Sequence, residues 1–234
     1  DRKRGLPLTA APAMRVTLIR IAEDSYFYVW THHHILLDGW SGPLIFKELF
    51  RFYEAFRRGQ SVDMPTPRPF RDYIRWLRRQ SLENAEVYWR QTLSGFTSAT
   101  PLPEDRSADG RRILGDRFEQ AESQLSQEVT ASLNQYVRSQ QITLNTLIQV
   151  AWALLLSRHG ETDDVCFGTL VSGRTPELEG VEQMVGLFIN TLPVRVRVDE
   201  SAPFGTWLKT LNGQQVEARQ YEYTPLVRVQ GWSE

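Results

Sequence analysis

The 234-residue sequence holds a single cysteine, Cys166. No disulfide can form within the chain, which fits a reducing compartment. Cys166 lies in an apolar, strand-like run and reads as a small core residue rather than a nucleophile. An excess of charge of either sign is also missing, since the formal net charge is −1. Basic clusters such as Arg57-Arg58 and Arg75 to Arg79 alternate with apolar residues, as on solvated helix faces, so nucleic-acid binding is disfavoured. Long apolar runs are absent as well. The longest, Val150 to Leu156, falls far short of a membrane span of about 20 residues. The start, Asp1-Arg2-Lys3-Arg4, leads into no apolar signal core. These absences predict a cytoplasmic protein with no membrane partner.

With 41% hydrophobic and 24% charged residues, the composition is that of a globular chain able to bury a sizeable core. Met14 to Ile21 and Tyr26 to His33 are rich in β-branched and aromatic residues, and Ala22-Glu23-Asp24-Ser25 between them predicts a β-hairpin. Ser41 is placed to N-cap a helix with Pro43 in its first turn. Ile45, Leu49, Phe52 and Phe56 recur at helical spacing, and Gly59 supplies the stop. A Pro-rich connector (Pro65, Pro67, Pro69) leads to helices over about 70–79 and 81–93. From Gly95 to Gly115 periodicity disappears, which predicts a linker. The expected organisation is thus a first lobe over 1–95, a linker over 96–115 and a second lobe over 116–234. In the second lobe the patterns predict a strand over 117–125 and a helix capped by Ser126. A buried helix over 143–159 uses Leu144, Leu147, Ile148, Ala151, Trp152 and Leu155. Strands over 165–171 and 192–198 and a helix over 204–220 follow. Helices alternating with strands argue for an α/β class.

The segment Thr31-His32-His33-His34-Ile35-Leu36-Leu37-Asp38-Gly39-Trp40-Ser41 stands out chemically. A base, an acid able to orient it and a chain reversal within eleven residues suit acyl transfer. Side chains alternate along a strand, so His33 and His34 point to opposite faces and only one can meet a reaction cleft. Satisfied structural histidines are the plainer alternative, and a chance His-His pair is another. Metal binding by His32, His33, His34 and Asp38 is disfavoured, because adjacent strand residues diverge and a tetrahedral site needs converging ligands.

The stretch His33-His34-Ile35-Leu36-Leu37-Asp38-Gly39 resembles the HHxxxDG signature of condensation domains from non-ribosomal peptide synthetases. Further motifs follow in that family's order. Phe70-Arg71-Asp72-Tyr73-Ile74-Arg75-Trp76 resembles YxDYAxW, with Phe70 in place of the leading tyrosine. Val171-Ser172-Gly173-Arg174 is similar to another family segment. Val185-Gly186-Leu187-Phe188-Ile189-Asn190-Thr191-Leu192-Pro193-Val194-Arg195 resembles VGxFxNTLPxR. Glu222-Tyr223-Thr224-Pro225-Leu226 is a weaker likeness to the element after it. Read alone, Asn190 would be a satisfied amide at a strand end and Asp72 a solvated helix charge.

The resemblance implies a two-lobed α/β fold like that of chloramphenicol acetyltransferase, with a tunnel between the lobes. Donor and acceptor carrier domains, beside an adenylation domain, would present substrates tethered to phosphopantetheine, with no cofactor or metal on the domain itself. The implied reaction is amide formation, in which the acceptor's α-amine attacks the donor thioester. His34 takes the central role, either removing a proton during attack or holding the amine and accepting its proton afterwards. His33 supports the scaffold. Asp38 pairs with Arg174 across the lobe contact and holds the His34 loop, with Trp40 and Asn190 as further supports. The Gly39 N–H is a candidate oxyanion donor. Rival readings are an epimerisation domain, which shares HHxxxDG, and a catalytically silent recruitment module of the same fold. The family's earlier motifs have no counterpart before His32, so the chain is expected to be an internal fragment, incomplete at both ends. Alone it should be poorly soluble and inactive.

Overall fold

A computed structural model describes residues 4–102, 120–199 and 201–233. Most of the expected linker, and residues 117–119 of the expected strand after it, lie outside these. The described remainder of that strand, 120–125, carries no regular structure. The chain divides into two compact units: Asp1–Gln80 with Ser172–Ile189, and Ser81–Val171 with Asn190–Glu234.

The first unit begins with the expected hairpin, β1 (Met14–Ala22) and β2 (Ser25–His32), paired antiparallel from Met14↔His32 to Ala22↔Ser25. Helix α1 (Ser41–Arg57) and helix α2 (Phe70–Leu77) follow. Segment 172–189, with one short 3-10 turn at Val181–Gln183, packs with them. The buried apolar cluster is small: Tyr73, Val181, Met184 and Phe188, with Phe70, Ile74, Trp76, Leu77 and Leu178 against it. The apolar spacing in α1 does give a helix, and Phe52 and Phe56 of that spacing are exposed.

The second unit is built around the antiparallel pair β3 (Asp164–Val171) and β4 (Asn190–Arg197), in register Val165↔Val196. Helices α3 (Leu82–Leu93), α4 (Gln127–Ser139), α5 (Leu144–Gly160), α6 (Phe204–Arg219) and α7 (Leu226–Trp232) complete it. Ser81, Ser126 and Thr143 cap α3, α4 and α5 through side-chain oxygens that accept the N–H three residues on, the geometry that makes these residue types good starts. Val150, Ala153 and Leu156 of α5 meet Val165, Val194, Val196, Leu208 and Leu211 in one continuous core. Helix α3 belongs here rather than with the residues before it, because Trp89, fully buried, clusters with Leu93, Leu192 and Val229. The buried face of α5 is not the one expected. Thr146, Gln149, Val150, Ala153 and Leu156 point inward, while Ile148, Trp152 and Leu155 are exposed. An almost uniformly apolar helix carries little information about which face is buried. The deciding features are polar: Thr146 bonds Asn212 and Gln215 of α6, and Gln149 bonds Thr169 of β3.

Candidate active site

Strand β2 ends one residue earlier than the sequence pattern suggests. His32 is its last residue, and His33 to Leu36 form a turn closed by the Leu36 N–H on the His33 carbonyl at 3.1 Å. The strand-face argument for His33 and His34 therefore does not apply, because both lie past the strand and both are exposed. His33 is tied down locally: its Nδ1 accepts the Ile35 N–H at 3.1 Å, and its own N–H donates to the Ala13 carbonyl at 3.0 Å. The ring of His34 lies edge-on to that of His32, centroids 6.1 Å apart.

Asp38 turns away from solvent, only 4% exposed. Its Oδ1 accepts the Ser41 N–H (2.9 Å) and Arg174 Nη2 (3.2 Å), with the Ser41 hydroxyl at 2.7 Å. Its Oδ2 accepts the Phe188 N–H (3.2 Å) and the same Nη2 (3.3 Å). Burial alone would raise the Asp38 pKa; the Ser41 hydroxyl and amide, the Phe188 amide and Arg174 together hold it below the ordinary carboxylate value. Trp40 takes the N-cap position of α1 without a side-chain cap of its own, and the first helical N–H, that of Ser41, is bound by Asp38. Ser41 is instead the first helical residue, and its buried hydroxyl also accepts the Gly186 N–H (3.1 Å) and lies 2.9 Å from the Gly186 carbonyl.

Arg174 is equally enclosed, its side chain 4% exposed. Nη1 donates to the carbonyls of Val181 (2.5 Å) and Met184 (2.9 Å), and the guanidinium lies 4.0 Å from the Phe188 ring centroid and 5.8 Å from that of Trp40. The Trp40 indole N–H in turn donates to the Glu182 carbonyl at 3.1 Å. The pair expected from the resemblance is present, though both partners belong to the first compact unit. Gly173 has φ +64°, and a Cβ there would fall 1.9 Å from the Phe188 carbonyl oxygen, so only glycine lets the chain turn into Arg174. Gly39 sits exposed in the turn before α1, with open space where a Cβ would stand. Asn190 lies in the second unit. Its Nδ2 donates to the Glu222 (2.8 Å) and Thr224 (2.7 Å) carbonyls and its Oδ1 accepts the Thr191 N–H, so the amide is satisfied and joins two of the motif segments.

The sequence reading missed Ser41 as a buried member of this network and Phe188 as the face beneath Arg174. The one signal for Ser41 was its position three residues after Asp38. Among the described residues, no group of three His, Cys, Asp or Glu is arranged to hold a metal ion, and no helix is long and apolar enough to cross a membrane.

A family model described as the condensation domain matches residues 1–234. The chain belongs to the condensation-domain family. A linear gramicidin synthase polypeptide of Brevibacillus parabrevis is 50% identical over 234 residues, which is all of this chain and 3% of that protein. The X-domain from teicoplanin biosynthesis superposes with a TM-score of 0.78 at 28% identity, covering 94% of this chain and 50% of that one. The first condensation domain of the CDA synthetase, 20% identical, shares the fold with a TM-score of 0.66 over 91% of this chain and 47% of its own. This condensation-domain chain therefore spans a small fraction of its curated relative and about half of each solved chain. Its architecture is the mixed α/β fold of chloramphenicol-acetyltransferase-like condensation domains, and its relatives belong to non-ribosomal peptide synthetases.

Proposed function

We propose that this condensation-domain chain contributes the histidine loop for amide formation between two carrier-bound substrates in non-ribosomal peptide synthesis. The observation that carries this reading is the division of labour between His34 and Asp38. His34 presents an exposed imidazole on a turn, open to a substrate. Asp38 has both oxygens taken up by Ser41, Phe188 and Arg174, so it anchors the loop and leaves no lone pair aimed at a reacting group.

The acceptor's α-amine nitrogen attacks the donor's thioester carbonyl carbon, and the C–N bond forms as the C–S bond breaks. The sulfur departs on the donor's phosphopantetheine arm, the proton lost by the amine passes through His34 to that sulfur, and the lengthened acyl chain remains on the acceptor carrier. An α-amine with a pKa of about 7.7–8.0 is partly protonated at neutral pH, so an imidazole within reach has a proton to handle. Donor and acceptor carrier domains and an adenylation domain are the partners this chemistry requires. The Gly39 N–H, at the turn before α1, is the candidate donor to the oxyanion.

Two other readings share the fold. Epimerisation is disfavoured by Leu187-Phe188-Ile189-Asn190-Thr191-Leu192-Pro193, which resembles the condensation form. A silent recruitment module is disfavoured by the intact histidine motif. Assay of the natural protein that carries this chain, with carrier-bound substrates, separates the three. Amide product supports the proposal, α-carbon deuterium exchange without amide would show epimerisation, and binding without either would show a silent module.

A further inference from the structure

The first histidine of the run, His32, has no role in the reaction as set out above, and its surroundings are unusual. Its ring is half-buried at the end of β2, and its Nδ1 is enclosed without a hydrogen-bond partner among the described residues. That atom's hydrogen bonding does not fix the ring; packing does. One neighbour is Trp30, two residues back on the same face of β2, with ring centroids 4.6 Å apart. Trp30 is itself braced edge-on by Phe46 of α1 at 5.5 Å. The other neighbour is the His34 imidazole at 6.1 Å, with the planes inclined at 73°. A continuous row of rings, Phe46–Trp30–His32–His34, runs from α1 through β2 to the turn. His33 has its own hydrogen bond to hold it, whereas among the described residues this edge-to-face contact is what the structure offers the His34 ring.

We propose that His32 is a positioning residue for His34, fixing the imidazole plane through the ring contact that Trp30 and Phe46 brace. Edge-to-face aromatic pairs favour one mutual orientation. A reacting group allowed to drift by about 1 Å can lose about 10²-fold in rate. The inference rests on the proposed role of His34 and concerns how that residue is held.

The test is single-turnover amide formation in the natural protein, with carrier-bound donor and acceptor, for His32→Ala, His32→Phe, His34→Ala and the double variant His32→Ala/His34→Ala. His32→Ala should lower the rate constant about 10- to 100-fold with the acceptor carrier's half-saturation unchanged. His32→Phe, which restores a ring edge, should recover most of the loss. In the His34→Ala background, His32→Ala should produce no further loss, because its effect passes through His34. A normal rate for His32→Ala, or an equal loss in both backgrounds, overturns the proposal while leaving the role of His34 standing. If His32→Ala fails to fold, a well-folded His32→Phe with a low rate overturns it. A normal rate for His34→Ala removes the functional reading itself, and this inference with it.

Discussion

The interiors of the two compact units rest on different physics. The second has a continuous aliphatic core in which α5, α6 and the β3–β4 pair share buried residues, with a further cluster around Trp89. The first buries four residues in its cluster, and its β1–β2 hairpin carries exposed Leu18, Tyr26 and Phe27. Two-stranded hairpins have little stability of their own. What organises the first unit is the Asp38–Arg174 ion pair, which gathers the turn before α1, Ser41, and the carbonyls and amides of 181–188. Each unit contains a buried arginine, and the two differ in the same sense. Among the described residues, Asp38 is enclosed with a single cationic partner. Asp164 is 27% exposed at its side chain and has two, Arg195 at 2.6 Å and Arg197 at 3.6 Å. Where apolar burial is scarce, one polar contact carries more of the structure, and removing it should cost more.

The strongest way to break this contrast is to remove Arg174. Leaving a buried carboxylate uncompensated typically costs about 3–5 kcal/mol. For Arg174→Ala, hydrogen exchange should speed up across 14–77 and 172–189 while the amides of α5 and β3 keep their protection. A double-mutant cycle of Asp38→Ala with Arg174→Ala should show coupling energy, and its absence would mean that the pair is incidental. Gly173→Ala comes next. A non-glycine residue at that φ costs about 1–3 kcal/mol, and the clash with the Phe188 carbonyl adds to it, so thermal melting should fall with the loss confined to the first unit. Arg195→Ala should cost less than Arg174→Ala, about 1–3 kcal/mol for lost bonds to a charged group and to the Thr92 and Ser94 carbonyls. Asp164 keeps Arg197 and solvent. Equal losses for the two arginine variants would erase the distinction drawn between the units.

Acid gives the mildest test. Asp38 is held below its ordinary pKa of 3.8 despite its burial, and Asp164 by its hydrogen bonds to Arg195, against burial, with Arg197 assisting. A depressed folded-state pKa gives stability that is present above the unfolded value and lost as pH falls through the folded one. Melting temperature should therefore hold from neutral pH down toward the ordinary carboxylate range and drop below it. In Asp38→Asn that acid-side drop should be smaller.

Much of this was legible in the sequence because local rules and motif spacing agree. Ser81, Ser126 and Thr143 mark helix starts that the structure confirms, and the hairpin follows from the apolar runs on either side of 22–25. The motif segments pointed to Asp38 and Arg174, 136 residues apart and hydrogen-bonded in the fold. The misreadings occur where local pattern is degenerate. Helix α5 is apolar nearly all round, so its inward face is chosen by Thr146 and Gln149, through partners on α6 and β3 that spacing does not reveal. The spacing on α1 predicted the helix correctly. Ser41 looked like a cap because serine usually is one. Its burial depends on Gly186 and Arg174, brought in from distant segments. The turn at His33 is closed by the Leu36 N–H on the His33 carbonyl, with the Ile35 N–H bound by the His33 imidazole, local bonds that strand propensity does not anticipate.

The most direct measurement of the central claim is single-turnover amide formation by His34→Ala in the natural protein, with carrier-bound donor and acceptor and folding checked by thermal melting. The account predicts a loss of about 10²–10⁴-fold, the usual worth of a proton-transferring side chain, at an unchanged melting temperature. An unchanged rate in a well-folded variant would contradict it.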